Sequence, residues 1–187
     1  MEDKRTALLE TAIQLFAKNG FWNTSTAQIA REARVATGTL FNYFPSKDSL
    51  ISAVHMKLKL DMMSEMHAGL DKSMSVHDQL KYVWDNAVVW AQENTARFNL
   101  LEQLHSSGLI TPEIIESTGQ DYIPTGDIIL QGINEGSIIN SDVHYLLSIM
   151  LKIGNATLER INNAPSKDDS SQFSDEGFSL FWKAISL

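Results

Sequence analysis

The sequence predicts an all-α protein of roughly nine helices, three short ones followed by a larger bundle. Three observations carry that reading. Apolar residues recur at helical spacing along most of the chain. Helix-stopping and helix-starting residues fall between the recurring stripes. No run of strict apolar–polar alternation is bounded by turns, as a half-buried strand requires.

The elements follow in order. Leu8, Leu9, Ala12, Ile13, Leu15 and Phe16 form one apolar stripe. Asn19-Gly20 ends that helix, with Gly20 suited to a left-handed C-cap. Ser25-Thr26-Ala27-Gln28 reads as a capping box that opens a short second helix. Arg34-Val35-Ala36 is a tight connection, and a third short helix runs from Thr37 to Phe44, stopped by Pro45. Ser46 caps a longer fourth helix that reaches about Gly69. Leu80, Val83, Trp84, Ala87, Val88 and Ala91 then mark an amphipathic helix of about five turns. Another helix is expected over 95–106. Thr111-Pro112-Glu113 opens the next, which must kink or break near Pro124-Thr125-Gly126 and ends before Gly136. Ser141-Asp142 opens a long apolar helix to about Asn162, residues 163–171 read as a polar linker, and a last helix spans Ser174 to Ile185.

Composition narrows the function. With 187 residues and 43% of them hydrophobic, the chain has room for one large domain or two small ones, and too much apolar content for a disordered segment. The longest apolar candidate, Val143 to Ile153, is too short to span a membrane and is interrupted by His144, Ser148 and Lys152. The opening Met1-Glu2-Asp3-Lys4-Arg5 mixes both charge signs, unlike a secretory leader, so a cytoplasmic location with no membrane partner is expected. There is no cysteine, which removes disulfides, thiolate metal sites and thiol nucleophiles. The net charge of −8 is uneven. Residues 1–50 hold six basic and five acidic side chains, while the remainder holds nine and eighteen. The acidic part would be repelled by nucleic acid, whereas the front could approach it.

Short helices joined by tight turns, the third of them small, describe a helix-turn-helix reader of DNA. Such a third helix must enter the major groove, so it needs small polar groups and aromatics on its outer face. Thr37, Thr39 and Asn42 meet that demand, Gly38 lets the backbone come close, and Leu40 and Phe44, four apart, face the core.

The stretch Thr6 to Leu50 closely resembles the DNA-binding domain of the TetR-type transcriptional regulators. The resemblance lies in Leu15-Phe16, Gly20-Phe21, Ser25-Thr26, Ile29-Ala30, Ala33, Val35, Gly38-Thr39-Leu40-Phe41, Tyr43-Phe44, Ser46-Lys47 and Leu50. It implies a DNA-binding domain over 1–47 and an effector-binding and dimerisation domain over 48–187. It also implies site roles. Thr26 would bind phosphate; Thr37 and Thr39 would touch bases or phosphates; Gly38 would permit close approach. Phe41, where the family usually has tyrosine, would contact a thymine methyl. Asn42 would bond phosphate or read adenine, Tyr43 would bond phosphate or brace the domain, and Lys47 would meet a phosphate.

Three positions depart from the family pattern. Arg34 replaces the usual turn glycine; if left-handed it costs about 1 kcal/mol, part of which its guanidinium would recover at the DNA backbone. Ala36 replaces the usual serine cap, leaving Thr37 as the substitute. Ser49, three after Ser46, stands where an acidic residue would complete a capping box, and a weakened box is expected.

The resemblance further implies a pocket for a small effector among the later helices, with Met62, Met66, Trp84, Val88, Phe98, Leu101 and Tyr122 as candidate lining. The acidic balance there favours an apolar, neutral or cationic ligand. Leu146, Leu147, Met150, Leu151, Leu158, Phe178, Phe181 and Trp182 offer more apolar face than one small bundle should leave wet, and predict a homodimer. The expected function is a ligand-responsive repressor that binds a near-palindromic operator on double-stranded DNA. No catalytic residue, metal or cofactor is expected. The alternative from another class is a helical-bundle enzyme or metal carrier built on the Glu-x-x-His pair Glu102 and His105.

Overall fold

Helical periodicity becomes nine helices among the residues that the computed structural model describes, 4–110, 124–164 and 169–187. They are α1 (Lys4–Asn19), α2 (Thr26–Glu32), α3 (Thr37–Tyr43), α4 (Lys47–His67), α5 (Val76–Glu93), α6 (Thr95–Ser106), α7 (Pro124–Glu135), α8 (Val143–Asn162) and α9 (Asp169–Ile185). Among these residues there is no strand, only an isolated antiparallel bridge between Ile138 and Ser186. The chain is all-α, as its periodicity predicts.

The described residues fall into two compact units. One gathers those of 1–61 and 94–121, the other those of 62–93 and 122–187. In the first, α1 packs against α2, α3 and α6. Its stripe side chains Leu8, Ala12, Ile13 and Phe16 are almost wholly buried, each larger one contributing about 1.5–3 kcal/mol of transfer free energy. Gly20 takes φ +80°, a left-handed turn open to glycine at no steric cost, and its amide bonds the Phe16 carbonyl at 2.9 Å to close the helix. Four half-buried charges tie α1, α4 and α6 together. Arg97 reaches Glu10 and lies 3.2 Å from Asp61, while Lys57 lies 2.6 Å from Asp61 and 3.7 Å from Glu10.

The second unit is built on α5, α7, α8 and α9. Trp84 is its centre. The indole stacks on Phe181 at 6.2 Å and 9°, meets Phe178 edge-on at 6.0 Å, and donates Nε1–H to the Ser174 carbonyl at 3.2 Å. Burying an indole requires such a partner for its one polar atom. α8 and α9 approach closely because residue 177 is glycine; a β-carbon there would overlap the Thr157 hydroxyl. Asp142 caps α8, accepting the Tyr145 amide at 2.8 Å.

Pro124 is the first described residue of α7; residues 111–123, over which a helix was expected to run from Thr111 to a kink or break near Pro124, lie outside the described residues. The last helix differs from expectation. It starts at Asp169, not Ser174, so part of the expected linker is helical. Its polar first turns are held from α8, where the Arg160 guanidinium sits 3.8 Å over the Phe173 ring and pairs with Glu176, and locally by Gln172, which donates to Glu176 at 3.0 Å.

Several residues expected at a dimer face lie inside this unit instead. Leu146, Phe178 and Phe181 are buried to within 3% and Leu158 to within 7%, because α5, α8 and α9 cover one another. Leu147 and Trp182 are half-buried, Met150 is buried, and Leu151 is exposed. The large apolar side chains that α8 and α9 turn to solvent are Tyr145, Leu151 and Leu180.

Candidate nucleic-acid interface

Local hydrogen bonding sets the geometry around α2 and α3. Ser25 has an extended backbone and its hydroxyl accepts the Gln28 amide at 3.1 Å, which starts α2 at Thr26. At the other end, Arg34 stands at φ +57°, the one non-glycine residue with positive φ among the described residues. This left-handed step lets the Val35 amide reach back to the Ala30 carbonyl at 2.9 Å and redirects the chain into α3. Ala36 is the N-cap of α3 and supplies no side-chain bond; Thr37 is the first helical residue and does not take over the cap. On α3, Leu40 and Phe44 are buried against the core of the unit.

What remains is an outer face. Thr37, Gly38, Phe41, Asn42 and Tyr43 are exposed, and Thr26 and Thr39 are half-buried. Phe41 is 44% and Tyr43 40% exposed, so neither is a core aromatic. The polar side chains of Thr26, Thr37, Thr39, Asn42 and Tyr43 make no hydrogen bond to another described residue. Their neighbours behave otherwise. The Thr24 hydroxyl is buried and donates to the Gly20 carbonyl at 2.9 Å, Ser25 caps, and Asn23 donates to the Asn19 carbonyl.

Ser46 and Ser49 start α4. Each hydroxyl accepts the other's amide, both at 3.0 Å, so the box expected to be weakened is closed. A hydroxyl can do the acceptor's work of a carboxylate at that position. Lys47, between them, extends its ammonium to within 3.4 Å of the Trp22 carbonyl oxygen. Neither Lys47 nor Arg34 meets a carboxylate among the described residues, whereas Arg31 pairs with Glu32 at 3.1 Å. An open cleft of about 390 Å³ joins these elements, lined by Trp22, Asn23, Thr24, Ser25, Thr26, Phe41 and Lys47. Thr26, Phe41 and Lys47 were expected at the site from sequence. Trp22 was not: a single aromatic in a turn has no periodicity to mark it, and only its 66% exposure sets it apart.

The candidate effector residues are distributed. Trp84 and Val88 are buried in the second unit, where Trp84 belongs to the aromatic centre; Met62 and Met66 are half-buried residues of the same unit. Phe98 is half-buried and Leu101 buried in the first unit. Tyr122 lies outside the described residues. His105, of the alternative Glu102–His105 pair, has its Nδ1 2.9 Å from Nε2 of the buried His55. One of those nitrogens must carry the proton and the other accept it, so the His105 ring is engaged by His55 at that nitrogen. Among the described residues no three His, Asp or Glu side chains gather as a cation site.

Residues 8–54 match the family model described as bacterial regulatory proteins, tetR family. Over the whole chain, a solved structure of a tetR family transcription regulator from Shewanella sp. PV-4 superposes with a TM-score of 0.88 at 28% identity, covering 100% of both chains. The HTH-type transcriptional regulator YuxN of Bacillus subtilis is 41% identical over 51 residues, 27% of this chain and 18% of that protein. An HTH-type transcriptional regulator of Haemophilus influenzae is 29% identical over 93 residues, half of each chain. The chain thus spans half or less of the length of these curated relatives. All of them are regulators of transcription and not enzymes.

Proposed function

We propose that the chain is a transcriptional regulator of the TetR type, a cytoplasmic repressor that binds a near-palindromic operator as a homodimer and is released by a small-molecule effector. One observation carries the DNA-binding role. The outer face of α3 and the adjoining cleft collect five uncommitted polar side chains and the cation Lys47, with Arg34 exposed in the turn that leads into α3, in a chain whose net charge is −8. Hydroxyls and an amide without internal partners, and cations that meet no carboxylate among the described residues, are what phosphate and base edges require. In this reading Thr26, Arg34, Tyr43 and Lys47 hold the backbone. Thr37, Thr39 and Asn42 read bases, with Gly38 allowing approach and Phe41 against a thymine methyl.

Homodimerisation is supported by Tyr145, Leu151 and Leu180, which α8 and α9 leave at 59%, 39% and 63% exposure. A two-fold pair of such faces would bury them symmetrically and place two reading heads on one duplex. The methionines and aromatics of residues 62–101 suit an apolar effector, and the excess of carboxylates suits a neutral or cationic one. Such a ligand releases DNA only through unequal affinity for the bound and free states.

The test is fluorescence anisotropy of a labelled mixed-sequence duplex with the full chain, between about 50 and 200 mM salt. Binding should weaken steeply with salt, and Lys47→Ala should reduce the slope of log K against log salt by about 0.9. Absence of binding at the lowest salt would overturn the reading.

A further inference from the structure

Trp22 is the one tryptophan whose ring the fold leaves in solvent. It is 66% exposed, while Trp84 and Trp90 are buried to within 6% and Trp182 is half-buried. Its ring lies beside that of the buried Phe21, centroids 5.0 Å apart and planes at 45°. Its carbonyl oxygen is held 3.4 Å from the Lys47 ammonium. The indole N–H has no hydrogen-bond partner among the described residues. An exposed aromatic with only two side-chain torsions and its polar atom unused costs little entropy to engage and brings a large contact area.

Its surroundings say what it would engage. The ring stands at the cleft shared with Thr26, Phe41 and Lys47. A cation and a hydroxyl suit a phosphate, and two aromatic rings suit the apolar face of a deoxyribose. Base edges are the business of α3, one element away. We infer that Trp22 is a DNA-contacting residue of the backbone class, packing its indole on a deoxyribose and donating its N–H to a neighbouring phosphate oxygen. This rests on the DNA-binding reading given above and extends it to a residue outside the helix-turn-helix pattern. An indole carries no charge, so its contribution differs from that of Lys47. It adds affinity on every sequence and leaves the salt dependence unchanged.

The experiment compares the full chain with Trp22→Ala, Trp22→Phe and Lys47→Ala on two mixed-sequence duplexes of different composition. Trp22→Ala should lose about tenfold in affinity on both duplexes, the loss of one hydrogen bond to a charged group, with the salt slope of the unaltered protein. Trp22→Phe, which keeps a ring but no N–H, should lose less. In the unaltered protein, saturating duplex should shield the exposed tryptophan from acrylamide, and Trp22→Phe should lack that component. Affinity of Trp22→Ala within twofold of the unaltered protein, with Lys47→Ala still weakened, overturns the Trp22 role and leaves the DNA-binding reading intact. An unshielded tryptophan at saturating duplex, or a loss confined to one duplex, overturns it as well. If neither duplex is bound by any form, both readings fall.

Discussion

Ser46 and Ser49 cap each other: the Ser49 amide bonds the Ser46 hydroxyl at 3.0 Å, and the Ser46 amide bonds the Ser49 hydroxyl at 3.0 Å. The arrangement pins the start of α4 and with it the backbone of Lys47. Ser49→Ala removes one acceptor and leaves the Ser46 amide without its partner, at a cost of about 1 kcal/mol. Ser49→Glu should retain most of the stability, since a carboxylate accepts the same amide. Thermal melting followed by circular dichroism checks both, with a drop of roughly 2–4 °C expected for the alanine variant.

Asn42 and Thr39 should govern which sequence is bound and not how strongly DNA in general is held. Replacing either by alanine should reduce discrimination against the wrong base by about 1–3 kcal/mol at the position each reads. Affinity for unrelated duplexes should stay within about twofold, because phosphate contacts are untouched. Competition between selected and scrambled duplexes measures the difference directly.

Arg34 holds a backbone conformation that suits glycine, at φ +57°. Arg34→Gly should therefore raise stability by about 1 kcal/mol, the cost of a left-handed β-substituted residue, and at the same time weaken DNA binding by removing an unpaired cation from the face. Melting and anisotropy on the same variant should move in opposite directions. A variant that gains stability and keeps its affinity would show that the guanidinium does not touch DNA.

Acid should loosen the link between α8 and α9. The hydrogen bond from Gln172, and then that from Arg160, hold the Glu176 carboxyl below its ordinary value of 4.5. The folded state then binds this proton less readily than the unfolded chain. The stability Glu176 contributes is complete above the unfolded value and is lost as pH falls through the folded one. Glu176→Gln should accordingly destabilise the protein more at about pH 7 than at about pH 3, where the two urea midpoints should converge.

Much of this was legible in the sequence for a simple reason. Caps and left-handed glycines act within a few residues, so Ser25, Asp142 and Gly20 declare their roles locally. The outer and inner faces of α3 follow from one turn of helix, with Leu40 and Phe44 inside and Thr37 and Asn42 outside. What was not legible depends on partners far along the chain. Periodicity marks Leu146, Phe178 and Phe181 as one apolar face but cannot say that α5 covers it, so they read as an outward surface. The early start of α9 depends on Arg160 reaching Phe173 and Glu176. Trp22 sits in a turn, where neither period nor cap marks a residue.

The most direct measurement of the central claim is selection of duplexes from a random-sequence pool by the purified full chain at low salt. The account predicts enrichment of a two-fold symmetric site whose half-sites are centred about 10–10.5 base pairs apart or a multiple of that, lost when Thr39 and Asn42 are both replaced by alanine. A pool that emerges without enrichment, or a selected site that lacks symmetry and survives those replacements, would contradict it.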